Sequence, residues 1–183
     1  KADLGLSDTE MGLVLGPAFA LLYTLLGLPA GMLVDRWRRV PVVWAGLLLT
    51  SVATLGAGFA GAFWTLALAR LAAGAGQATT WPACTSLIAD YFPAEQRARA
   101  YGIFAMGGSI GIGIAYLLGG FAMDLAAGVQ SALPQVLGGL REWQTVLLIV
   151  SAPGILVALL MIATVREPLR RGGDAKPQAL LVS

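Results

Sequence analysis

Charged residues fall in short groups along the chain and leave long neutral stretches between them, over 11–34, 40–69, 71–89, 100–123 and 143–165. A hydrocarbon core about 30 Å thick is crossed by about 20 apolar residues in a helix, so stretches of this length read as spans. Residues 40–89 carry a single charge, Arg70, yet are too many for one crossing. Gly56, Gly58 and Gly61 mark a turn that divides them. The pattern predicts an all-α membrane protein with five transmembrane helices over about 8–34, 40–58, 63–90, 96–123 and 143–165. Residues 124–142 read as an outer loop and 169–183 as a polar linker without a fold of its own.

Local signals refine these elements. Ser7-Asp8-Thr9-Glu10 fits a capping box at the first helix start, with Leu6 and Met11 placed as a hydrophobic staple. Small residues recur four apart at Gly12, Gly16 and Ala20, then at Gly27 and Gly31, and again at Gly107, Gly111, Ala115 and Gly119. Both series predict stripes where another helix backbone approaches closely. Pro153-Gly154 predicts a bend in the last span, whose Leu, Ile, Val and Ala content suits a peripheral, lipid-facing helix.

Composition narrows the function. Of 183 residues, 57% are hydrophobic and 12% charged, about half the charge of a soluble domain, and this excludes a disordered chain as well. There is no His, and Cys84 is the single cysteine. Disulfide frameworks, His-based metal sites and Ser-His or Cys-His pairs are thereby excluded, and neither an enzyme, a metal nor a cofactor is expected. A net charge of +2 makes no nucleic-acid footprint. The placement of the charges is more telling. Arg36, Arg38, Arg39, Arg97, Arg99, Arg166, Arg170, Arg171 and Lys176 fall on one side, against Lys1 and Arg141 on the other. Basic loops stay in the cytoplasm, so the N-terminus is expected outside and the C-terminus inside. An N-terminus outside, without the order of a signal peptide, also predicts an earlier helix ahead of Lys1.

Between the first two spans the chain reads Gly31-Met32-Leu33-Val34-Asp35-Arg36-Trp37-Arg38-Arg39. Gly31 would admit a neighbouring helix, while Asp35, Arg36 and Arg39 could pair with charges on other helices. This G-x-x-x-D-R-x-x-R pattern resembles the signature loop between helices two and three of the major facilitator superfamily of secondary transporters. The usual loop has Gly where this chain has Arg38, and a basic residue where it has Val40. Residues Leu66 to Gln77 resemble the Arg-bearing fourth helix of that family, and Ile88 to Arg97 its cytoplasmic exit. The resemblance implies helices two to six of the N-terminal half, with the first helix and the C-terminal half as partners. It also implies that Asp90 pairs with the Arg36/Arg39 cluster, in a conformational gate of Gly31, Asp35, Arg36, Arg39, Asp90 and Arg97. Leu4 to Gly12 and Tyr23 to Gly31 are similar to the spinster-like branch, which is associated with lysophospholipids and sphingolipids.

A charge deep in a bilayer is costly, so Arg70 must face protein or a water-filled passage, unless it snorkels from about 10 Å depth to the outer surface. It shares a helix face with Gly74, Gln77, Trp81 and Thr85. In the related branch the position of Gln77 is often acidic; an amide cannot titrate, so coupling to protons or another ion would need a carboxylate elsewhere. Tyr23, Ser109 and Tyr116 are further candidates to line a cavity, although each could satisfy a helix backbone instead. The resulting expectation is a secondary transporter, in a bacterial inner membrane, that moves a lysophospholipid or sphingolipid-like amphiphile by alternating access. A drug, sugar or organic anion is the alternative cargo, and a non-transporting receptor or scaffold the alternative class.

Overall fold

The computed structural model describes residues 7–137 and 139–169, and among them every regular element is helical. The helices are α1 (Asp8–Leu15), α2 (Pro17–Arg36), α3 (Arg39–Ala57), α4 (Phe63–Tyr91), α5 (Ala94–Ala132), the single turn α6 (Pro134–Leu137) and α7 (Glu142–Thr164). Helix α4 packs against α2 and α3, α3 packs against α7, and α7 against α5. One apolar cluster joins Val34, Val40, Val43, Ala83 and Leu87 near the ends that carry the arginines. A second joins Val14, Ala57, Ala60, Leu66 and Ala67 at the opposite end.

The first span is divided. The Ser7/Glu10 capping box forms, with the Ser7 amide donating to Glu10 Oε2 at 2.9 Å and the Glu10 amide donating to Ser7 Oγ at 3.2 Å. The Leu6 half of the expected staple lies outside the described residues. The helix then breaks at Gly16, because Pro17 has no amide hydrogen and restarts the chain as the first residue of α2.

Helix α5 runs on to Ala132, nine residues past the expected span end at 123, for 39 residues or about 58 Å. Much of the expected outer loop is therefore helical. Charge at Asp124 ends a hydrophobic stretch but does not end a helix, and the extension is anchored. Ala126 is fully buried, and the Gln130 amide donates to Leu140 O at 2.8 Å and to Thr145 Oγ1 at 2.9 Å. Helix α7 likewise passes through Pro153-Gly154 without interruption.

Among the described residues the regular glycine stripes meet no neighbouring backbone. A methyl group built at Gly12, Gly27, Gly31, Gly107, Gly111 or Gly119 would meet nothing within 4 Å. The close approaches are elsewhere. A Cβ at Gly76 of α4 would lie 2.6 Å from Gly46 O of α3, and one at Gly74 would strike Phe19 O of α2. Gly154 of α7 abuts Ser51 of α3, and a Cβ at Gly58 would lie 2.8 Å from Leu148 Cδ2. Four-residue spacing marks a smooth helix face; whether a second backbone occupies it depends on the neighbours.

Among the described residues four segments are long and apolar enough to cross a membrane: Asp8–Arg36, Arg39–Ala57, Ala94–Ala132 and Glu142–Thr164. Helix α4 is long enough, at 29 residues. Its Arg70, Gln77 and hydroxyl side chains make it less apolar, and a helix enclosed by α2 and α3 needs less lipid-compatible surface than one at the edge.

Candidate functional site

Two arginine sites stand at opposite ends of the bundle. At the basic end, α2 stops at Arg36 and α3 starts at Arg39 after only Trp37 and Arg38. The start of α3 has no capping side chain of its own. Glu167, just beyond α7, supplies one: its carboxylate accepts from the Arg39 amide at 3.0 Å and from the Val40 amide at 2.8 Å. Pro41 follows and has no amide hydrogen, so this distant carboxylate satisfies most of the exposed donors of the first turn and complements the helix dipole.

The Arg39 side chain is only 2% exposed, and four of the five N–H groups of its guanidinium are engaged. Nη1 forms the ion pair with Asp90 and donates to Ser86 Oγ at 3.4 Å, Nε donates to Glu167 Oε1 at 3.1 Å, and Nη2 donates to Pro168 O at 3.1 Å. Burial pushes the Glu167 carboxyl up, but the Arg39 and Val40 amides and the Arg39 guanidinium outweigh it and hold the group below its ordinary value. The Tyr91 hydroxyl donates to Arg166 O and fixes the segment after α7 to the end of α4. Three chain segments distant in sequence are thus clasped around one cation.

The sequence-derived gate enters this clasp in part. Arg39 and Asp90 meet as the resemblance implied, whereas Arg36 is exposed and lines a separate shallow hollow with Pro29 and Trp37. Asp35 is exposed at the end of α2. Arg97 donates from Nε to Phe92 O at 3.2 Å, closing the turn into α5. Gly31 faces open space, so close helix approach is not its role within this chain. Glu167, Ser86 and Tyr91 were missed. The sequence marks Arg166-Glu167-Pro168 only as the end of a span, and nothing local ties it to Arg39, 128 residues earlier.

At the opposite end, Arg70 lies in a hollow of 370 Å³ between α1, α4, α5 and α7. The other lining residues are Met11, Leu15, Leu66, Met123, Trp143, Val146 and Leu147. The Arg70 Nε is buried and has no hydrogen-bond partner among the described residues. A desolvated donor with nothing to bond costs about 1–3 kcal/mol, more for a charged group.

The expected polar face of α4 does not line one cavity. Gly74 is buried against the α2 backbone, which separates Arg70 from the residues beyond it. Gln77 is exposed. Trp81 packs on Phe104 of α5 with ring centroids 5.1 Å apart, and the Tyr101 hydroxyl donates to Thr85 O at 3.0 Å. Tyr23 is 39% exposed and stacks on Phe19, Tyr116 is 84% exposed, and Ser109 returns its hydroxyl to Ala105 O at 3.4 Å. No cluster of potential metal ligands occurs among the described residues.

A family model for the Major Facilitator Superfamily matches residues 1–182. Protein spinster homolog 1 of Homo sapiens is 31% identical over 167 residues, covering 90% of this chain and 29% of that protein. The D-galactonate transporter of Escherichia coli is 28% identical over 178 residues, covering 97% of this chain and 38% of its own length. Among solved structures, a bacterial homolog of the human lysosomal transporter Spinster, inward-facing and unoccupied, superposes with a TM-score of 0.83 at 38% identity. That match covers 97% of this chain and 40% of the other. The chain therefore spans between about three tenths and two fifths of the length of these proteins.

Proposed function

Because the chain belongs to the major facilitator superfamily, and so to a family of integral membrane transporters rather than enzymes, we propose that it forms helices two to six of the N-terminal half of a secondary transporter. The transporter moves an amphipathic anion, of the lysophospholipid or sphingolipid-like class, by alternating access, with the N-terminus outside and the C-terminus inside. The observation that carries this reading is the buried, partnerless Arg70 Nε at the edge of an apolar hollow. A cargo phosphate or carboxylate would satisfy the guanidinium, and the seven apolar neighbours suit a hydrocarbon chain. Likeness to spinster proteins at about 30% identity supports the same class. Asp35, Arg36, Arg39, Asp90 and Arg97, joined by Glu167, serve as the inner conformational gate. Gln77, Trp81, Tyr23, Ser109 and Tyr116 serve the cavity walls. The rest of the transporter completes the passage and supplies any coupling carboxylate.

The likeness to a D-galactonate transporter favours a second reading, a hydrophilic organic anion. Such a cargo would also use Arg70, but its hydroxyl groups need many more polar partners than this hollow offers. Uptake into sealed proteoliposomes containing the full-length transporter separates the two. Lysophosphatidylglycerol and sphingosine phosphate should be carried and D-galactonate should not. Arg70→Gln should lower lipid uptake about tenfold or more, the value of a charge-assisted hydrogen bond. Galactonate flux that depends on Arg70 without lipid flux would establish the second reading, and no flux of either in intact vesicles would favour a receptor or scaffold.

A further inference from the structure

Arg38, like Arg36, stays outside the clasp, although it sits next to Arg39 and replaces the glycine of the usual motif. Its side chain borders a hollow of 460 Å³ at the basic end, between the start of α3 and the segment leaving α7. Arg166 borders the same hollow from the other side. Both residues are exposed, and neither guanidinium is engaged by a carboxylate among the described residues. The one acid in the lining, Glu167, is already committed to Arg39 and two α3 amides. Below the two cations the wall becomes apolar, with Val40, Trp44 and Ile162.

The hollow lies beside the contact between α3 and α7. Helices α3 and α7 pack on each other there, and α7 leaves Leu156, Leu159, Leu160 and Ile162 about half exposed, which in a membrane protein is surface for lipid. Two cations without a carboxylate partner among the described residues, an aromatic ring beside them and hydrocarbon-like side chains in the same lining match one chemistry: a phosphate head with acyl chains running along the helices. We propose that Arg38, Arg166 and Trp44 form a binding site for an anionic phospholipid of the surrounding bilayer, at the edge between α3 and α7. Arg38 and Arg166 hold the phosphate, a geometry that guanidinium forks suit, while Trp44 and Ile162 contact the upper acyl chain. The site is separate from the Arg70 hollow and does not depend on what the transporter carries.

Native mass spectrometry of the full-length protein in neutral detergent, offered equal phosphatidylglycerol and phosphatidylcholine, tests the assignment. The unaltered protein should retain phosphatidylglycerol preferentially. Arg38→Gln or Arg166→Gln should each reduce the preference about fivefold, and both together about thirtyfold. Arg99→Gln, an exposed arginine outside the hollow, should leave it unchanged. A preference that survives the double substitution overturns the proposal, as does one lost with Arg70→Gln instead. A second measurement needs no arginine variant: phosphatidylglycerol brominated on its acyl chains should quench a saturable part of the tryptophan emission that Trp44→Phe removes. If that part remains in Trp44→Phe, the lipid is not at this edge.

Discussion

The basic end and the opposite end of this bundle each bury polar atoms of an arginine, wholly at Arg39 and only at Nε in Arg70, and they meet those atoms in opposite ways. Arg39 is enclosed by Asp90, Glu167, Ser86 and Pro168 O, so its charge and nearly all its donors are met by the protein itself. Arg70 has a buried Nε with no partner among mainly apolar neighbours. The first arrangement is a structural knot that must be broken for its segments to separate. The second is an open valence that an anion from outside the described residues can fill. Burial alone does not distinguish a clasp from a binding group; the completeness of the partner set does.

The contrast can be broken most forcefully at Arg39. Arg39→Ala removes the cation from two partly buried carboxylates and should destabilise the protein by about 3–5 kcal/mol, read as a lowered thermal midpoint in detergent. Arg70→Gln should cost stability little, since no protein partner is lost. A loss there as large as at Arg39 would remove the distinction.

Packing offers the next test. Gly76→Val drives a side chain into the α3 backbone at Gly46 and should cost about 1–3 kcal/mol or more. Gly111→Val, on the equally spaced stripe of α5, meets nothing within 4 Å and should leave the midpoint of the same chain unchanged. Equal effects would mean that the α5 stripe is a packed interface in the assembled transporter.

Glu167→Gln should have a smaller effect, about 1–2 kcal/mol, because the amide oxygen can still accept one α3 amide. Its pH dependence carries a sign. The folded carboxyl titrates below its free value, so its stabilisation is complete above the ordinary glutamate value of about 4.3 and is lost as pH falls through the lower folded value. The difference in midpoint between the unaltered protein and Glu167→Gln should therefore be constant near neutrality and vanish only in that acid range. The smallest effect on stability is expected for Ser109→Ala, which removes only a hydroxyl bonded back to its own helix at Ala105 O; the thermal midpoint should be unchanged.

Charge spacing along the chain was enough to find the membrane class and the all-helical fold, because a bilayer demands long neutral helices and satisfied backbones of any sequence. It located the α3–α4 turn at Gly58 and the charged loop ahead of α3, since Gly and Arg clusters act through local geometry and surface preference. Motif resemblance added the pairing of Arg39 with Asp90. Tertiary structure decided the rest. Which glycines lie against a backbone, Gly46, Gly74 and Gly76 rather than the regular stripes, depends on which helices are neighbours. The continuation of α5 to Ala132 depends on Gln130 meeting Leu140 and Thr145. Glu167 caps α3 from more than 120 residues away, and Arg70 is left unpaired by what surrounds it. These are properties of pairs and enclosures, and a one-dimensional pattern records only the residues that take part in them.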